Sequence, residues 1–413
     1  MKANKIYFNE TSIYDKKILK NILVFFFIIL LLTNPLMAQK LSKSPFIPDY
    51  VFNEFNNLTK NHKIKFCGFT NFKISKFIID NDLPPRIHGY NSRMDNDKDV
   101  EGTYARDLFR MYTQAVTFSM VSNDDKIKEF LFDKLYVWAT SKALTKTKQC
   151  YRNIQGNSIL EDCEGEWSDS NGQDIAPIKD ATVTLEIIMG LNYIYNLNFT
   201  EFKKDDPRHE VINNWFKFFY NRIKPADKFY WGNSAGWYFP NISLRHNNNK
   251  EYKSLVQKLI VGSDKWILDD GSIRDRTSRG DRALWYHHTG LGEAFMIMEI
   301  AKAADVLIPK NFEQKLLKAV ELFHDSFLDN SKIEPWALKQ HNSQASNGIQ
   351  RFTNNLNNIS FNGSWFHIMQ YRYPQHRTSK FLKSNMSYRA ISLKGDEVVG
   401  IGIGCIYNAL ANR

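Results

Sequence analysis

DDGSIRDRTSRGDRALWYHHTGLGEAFMIMEIAKAAD, residues 269–305, is the stretch on which the reading of this chain turns. It opens with an Asp-Asp-Gly turn and then sets four arginines, Arg274, Arg276, Arg279 and Arg282, within nine residues. Tyr286, His287 and His288 follow at the head of an apolar segment that predicts a helix over about residues 282–304. Cations, a phenol and imidazoles gathered where a helix starts mark a candidate active-site edge.

Outward from this stretch the apolar residues keep a helical period. Tyr104, Leu108, Met111, Ala115 and Phe118 recur at three- and four-residue steps. A second helix is predicted over about 126–143, entered through the capping cluster Ser122-Asn123-Asp124-Asp125. Others follow over about 175–197, from Asp206-Pro207 onward, and over 250–266, 311–327 and 360–371. Asp206 reads as the cap and Pro207 as the first turn of its helix. No alternating strand series stands out, residues 145–173 read as a loop, and the last 40 residues read less clearly. The expectation is an all-α chain of antiparallel helix hairpins packed side by side. Periodicity does not say whether the array closes into a ring.

At the N-terminus Lys16, Lys17 and Lys20 precede the apolar run 22–32, and Leu36-Met37-Ala38 follows Pro35. This is the pattern of a secretory signal peptide ending at Ala38. It implies an exported protein, periplasmic or secreted, with a single domain over 39–413. The leader holds five lysines and two acids of a chain whose formal net charge is +11, so the remainder stays basic and suits a polyanionic partner. No basic run interleaved with aromatics points to nucleic acid. No membrane contact is expected after cleavage, and the chain is expected to act as a monomer. The cysteines are Cys67, Cys150, Cys163 and Cys405, without a Cys-x-x-Cys pair. Cys150 and Cys163 flank a polar loop they could close. Cys67 and Cys405 are too distant in sequence for spacing to pair them.

Arg282 and Tyr286 are four residues apart and Arg279 and Tyr286 seven, so a helix beginning near Arg279 would present all three on one face. A cation beside a phenol favours the phenolate, and such a tyrosine can serve as general base and general acid. Cutting a polyuronate by β-elimination needs this pairing. The proton on C5 leaves readily only when the adjoining carboxylate is neutralised, by arginine or by an amide. No metal or cofactor is called for. The bland alternative is that these arginines pair with Asp269, Asp270, Asp275 or Asp281 as surface ion pairs of under about 1 kcal/mol.

The turn Asp270-Gly271-Ser272 followed by Arg279-Gly-Asp-Arg-Ala-Leu-Trp-Tyr-His287 resembles the signature of the mannuronate-type alginate lyases. That resemblance implies an (α/α) toroid and cleavage of an acidic polysaccharide by β-elimination. It assigns Arg279 to the carboxylate and Tyr286 to the catalytic acid, and to the base where elimination is syn. The family also carries an Asn-Asn-His element upstream. Here the corresponding segment is Trp231-Gly-Asn233-Ser-Ala-Gly-Trp237, which offers Asn233 for the amide role but no histidine. His246 is the nearest substitute.

Further substrate contacts are expected from Arg282, His287, Trp231 and Trp237, with Tyr238 beside them. Tyr90 and Arg93 are added as parts of a polar lid. Two other readings remain open: an acidic-polysaccharide-binding toroid without turnover, and a glycoside hydrolase using Asp269 and Asp270, whose adjacency suits opposed carboxylates poorly.

Overall fold

The computed structural model describes residues 42–88, 100–147, 150–154, 157–161, 175–176, 179–223, 238–339, 350, 363–385 and 402–413. The chain divides into Met1–Leu41 and Ser42–Arg413, and all of the described residues belong to the second unit. The leader lies outside the described residues.

The helices in chain order are α1 (Asp49–Asn56), α2 (Lys60–Phe66), α3 (Lys76–Asp80), α4 (Gly102–Ser122), α5 (Asp125–Thr140), α6 (Lys179–Asn198), α7 (Arg208–Arg222) and α8 (Phe239–Arg245). They continue with α9 (Asn249–Asp264), α10 (Ala283–Ala303), α11 (Phe312–Leu328), α12 (Glu334–Ala337), α13 (Ser364–Arg372), α14 (Arg377–Asn385) and α15 (Ile403–Ala411). Asp124 caps α5 by accepting the N–H groups of Lys126 and Ile127. At α7 the sequence expectation shifts by one residue. Pro207 takes the cap position, and Asp206 stands just outside, accepting Arg208 N–H at 2.9 Å.

Contacts among the described helices trace a closed circuit. α4 packs on α6, α6 on α8, α8 on α9, α9 on α10, α10 on α13, α13 on α15, α15 on α2, and α2 returns to α4. A second layer covers it, with α5 on α4, α7 on α5, α11 on α10, and α14 on α11 and α13. Composition explains the layering. Every residue of α10 from His287 to Ala301 is buried, as an inner helix requires. In α11 the buried positions Phe312, Leu316, Ala319, Phe323 and Phe327 form one stripe, as an outer helix requires. The fold is an all-α (α/α) toroid.

The ring is fastened where its first and last helices meet. Cys67, just after α2, is disulfide-bonded to Cys405 in α15 across 338 residues of sequence. Beside it Asn408 donates its amide N–H to Phe66 O at 2.6 Å, and His62 Nε2 bonds Ala409 O at 2.8 Å. Further along the seam, Glu299, fully buried in α10, accepts both forks of Arg372 at 2.8 and 2.6 Å and the Tyr407 hydroxyl. Many of the aromatics serve the core. Trp365 is fully buried and stacks on Phe295 at 5.6 Å, with Phe323 and Phe366 around it.

The segment read as a loop over 145–173 holds strands. β3 (Cys150–Ile154) and β4 (Asn157–Glu161) pair antiparallel, with Ile154 opposite Asn157, and β5 (Ile175–Ala176) adds to β3. Two shorter strands, β1 (Ile87–His88) and β2 (Val100–Glu101), pair in parallel. In the β3–β4 hairpin Gln155-Gly156 separates the two runs, but neither run alternates apolar with polar residues, so the sequence carried no clear strand signal there. Cys163 and the side chain of Cys150 lie outside what is described, so their pairing stays an expectation. Among the described residues no helix is long and apolar enough to cross a membrane.

Candidate active site

The turn before α10 is built backwards from one glycine. Gly271 has φ +84°, and a Cβ there would stand 2.6 Å from Lys318 O on α11. Only glycine combines that conformation with that approach. Gly271→Ala is therefore expected to cost at least about 1–2 kcal/mol, read as a lowered denaturation midpoint. An unchanged midpoint would mean that the turn relaxes freely. Asp270 locks the next step: Oδ1 accepts Ser272 N–H at 2.9 Å and its hydroxyl at 2.6 Å, and Oδ2 accepts Trp336 Nε1–H at 3.0 Å. Partial burial opposes ionisation of Asp270, but these donors outweigh it and hold the carboxyl below its ordinary range.

His287 ties the turn to the ring. Ile273 N–H donates to Thr277 Oγ1 at 2.8 Å. His287 Nδ1 bonds Thr277 Oγ1 at 2.8 Å, and Nε2 bonds Ala319 O at 2.9 Å. A carbonyl only accepts, so Nε2 carries the proton and the threonine hydroxyl donates to Nδ1. His287 is fully buried. The expected substrate contact from His287 is thus corrected: both nitrogens are committed to the fold.

Burial pushes the His287 pKa down to about 4. Unfolded histidine titrates near about 6.5, so between these values the unfolded chain binds the extra proton. The contribution of neutral His287 is complete above about pH 6.5, shrinks as pH falls and is gone near about pH 4, a span of about 3 kcal/mol. His246 and His367, pushed down to about 4 and about 3 by burial, act in the same direction. A denaturation midpoint falling steadily from pH 7 to pH 5 checks this. A flat profile would contradict it.

Arg279 and Tyr286 do meet. The Arg279 Cζ lies 4.5 Å from the Tyr286 ring centroid, and Arg279 Nε–H donates to Asp275 O at 2.7 Å. Both side chains are partly exposed. Among the described residues no ion pair engages Arg279, which leaves its terminal nitrogens for a ligand carboxylate. The Tyr286 hydroxyl likewise has no hydrogen-bond partner among them. Surface pairing with Asp269, Asp270, Asp275 or Asp281 does not account for Arg279.

The third member of the expected face is different. Arg276, not Arg282, is the second cation at the ring, with Cζ 5.8 Å from the centroid. Residues Gly280–Arg282 form a 3-10 turn, so α-helical spacing does not extend back through Arg282. Arg276 is anchored by a 2.6 Å ion pair to Glu293, which is nearly fully buried on α10. Removing one partner of such a pair strands the other charge. Glu293, one of two carboxylates in an otherwise apolar helix, was the sequence signal for this cation. Gln350 had no such signal. It closes the helix start by donating to Gly280 O at 2.7 Å and accepting Leu284 N–H at 2.9 Å.

His246 is 4% exposed, edge-on to Tyr252 at 5.0 Å, so its expected role as a substrate contact is corrected to a core position. Tyr238, 1% exposed, is also a core residue rather than a sugar platform. Asn233, Trp231, Trp237, Tyr90 and Arg93 lie outside the described residues.

Among solved structures the chain is similar to alginate lyase A1-III from Sphingomonas species A1, with a TM-score of 0.55 at 12% identity, covering 88% of this chain and 99% of that one. The fold is that of alginate lyases. Two further structures of alginate lyase A1-III match with TM-scores of 0.54 and 0.53, each at 12% identity and covering 88% of this chain and 98% of that one. One carries a histidine-to-alanine and the other a tyrosine-to-phenylalanine substitution, and both are complexed with tetrasaccharide. No protein-family model and no curated protein sequence matches the chain.

Proposed function

We propose that this protein is a polysaccharide lyase that cleaves alginate or a related polyuronate by β-elimination. The observation that carries the reading is the Arg279–Tyr286 pair, with an unpaired guanidinium fork 4.5 Å from the ring of a tyrosine whose hydroxyl is unengaged among the described residues. The shared fold supports it, since alginate lyases that bind a tetrasaccharide have this architecture.

In this reading the Arg279 fork takes the uronate carboxylate and stabilises the charge that develops when the C5 proton leaves. Tyr286, as phenolate, takes that proton and then returns it to the departing glycosidic oxygen, a syn elimination that suits a sequence in which no histidine follows Asn233. By the family resemblance, Asn233 is the residue proposed to supply an amide to the carboxylate. We further propose that the chain is exported. A basic leader pattern and the Cys67–Cys405 disulfide, a bond favoured in oxidising compartments, support this.

The test is the product. Polymannuronate, polyglucuronate or mixed alginate should yield fragments with an unsaturated uronate at the new non-reducing end, seen as rising near-ultraviolet absorbance. Saturated fragments would mean hydrolysis. Binding without any cleavage would leave a carbohydrate-binding toroid.

A further inference from the structure

The turn that brings Arg276 and Arg279 to Tyr286 has a second lined space. Arg274, Asp275 and Ser278 of the same turn border a pocket of about 360 Å³, with Trp266 at the end of α9 and Trp336 and Lys339 after α11. Neither Tyr286 nor Arg279 lines it. Its size falls within the ~300–1,000 Å³ of ligand sites.

The lining combines three chemistries. The two indoles supply flat apolar faces of the kind on which the C–H faces of a pyranose pack. Trp336 is held in place by its Nε1–H donation to Asp270 at 3.0 Å. Arg274 and Lys339 are exposed, and among the described residues neither forms an ion pair. Two carboxylates also face the pocket, so the formal charges balance. They are not equivalent, however: Asp270 is occupied by Ser272 and Trp336, while Asp275 keeps its oxygens for hydroxyl donors. Unpaired cations, one available acceptor and two aromatic faces suit a ring that carries both hydroxyls and a carboxylate. A phosphate would leave the indoles unused, and an apolar ligand would strand the cations.

We propose that this pocket is a second subsite that binds one uronate unit of a polysaccharide chain, away from the unit at Arg279 and Tyr286. The proposal rests on the polyuronate reading above. It gives the turn two functions, with Arg279 serving the reacting unit and Arg274 a unit further along the chain.

The test is Arg274→Ala combined with Lys339→Ala, both at exposed positions. Binding of polymannuronate or alginate is measured by tryptophan fluorescence and calorimetry in a Tyr286→Phe background, where turnover cannot interfere. The double variant should weaken binding about tenfold or more, the effect of losing two charge-assisted contacts. In the Tyr286 protein the loss should appear in KM rather than kcat, and should vanish for oligouronates too short to span both sites. A neutral glucan should bind neither form well. Unchanged polyuronate binding in the double variant, or equal binding of the glucan, would overturn the subsite. The two readings separate cleanly. Polyuronate binding that depends on Arg274 and Lys339 without unsaturated product keeps the subsite and removes the lyase. Cleavage with kinetics indifferent to both residues keeps the lyase and removes the subsite.

Discussion

Tyr286→Phe should lower kcat on polyuronate by about 10²–10⁴-fold, the range of one general acid–base group. The phenyl ring keeps its place under Arg279, 4.5 Å from the guanidinium, so KM should change little. Stability should not move either, because the hydroxyl has no hydrogen-bond partner among the described residues. Initial rates of unsaturated-product formation and a thermal denaturation curve, measured on the same preparation, read both effects. A variant retaining full kcat would remove Tyr286 from the proton transfers. A variant that lost activity only because it melted would show a lowered midpoint. A loss confined to kcat, with KM and the midpoint unchanged, is what distinguishes a group that moves a proton from one that shapes the site.

The second large effect concerns the seam. Replacing Cys67 and Cys405 together by alanine releases a link between residues 338 apart, and linkage of such distant positions restricts the unfolded chain strongly. A loss of about 2–5 kcal/mol is expected, a large part of the ~5–15 kcal/mol that holds a folded protein together. Chemical denaturation of the double variant beside the parent measures it, and needs no reductant that would act on Cys150 or Cys163. An unchanged midpoint would show that the packing of α15 on α2, with Asn408 bonded to Phe66 O, fastens the ring unaided.

The inner and outer helices were legible because their apolar spacing is a local property. The predicted helix over 282–304 differs by a residue at each end from the observed Ala283–Ala303. Closure was not legible, since it depends on contacts such as Cys67–Cys405 that no window of sequence contains. At the site, Arg279 and Tyr286 meet as expected, but through the 3-10 turn rather than along the helix face that the expectation assumed, and the choice of Arg276 over Arg282 was not legible at all. A single 3-10 turn over Gly280–Arg282 changes which cation reaches the ring. His287 shows the other limit. The sequence placed an imidazole beside the tyrosine, but whether it faces a ligand or the carbonyl of Ala319 depends on where α11 docks.

The closed circuit also dictates an order of assembly. α2 is held by α15, whose Cys405 lies 338 residues beyond Cys67, so it lacks this partner until that helix is available. Segments made or delivered early can form hairpins, but the toroid cannot become a ring before its last helix arrives. Closing the ring is therefore a very long-range step, which carries the loop-closure cost of the chain between Cys67 and Cys405. Truncations within residues 402–413 should consequently damage the first helices as much as the last.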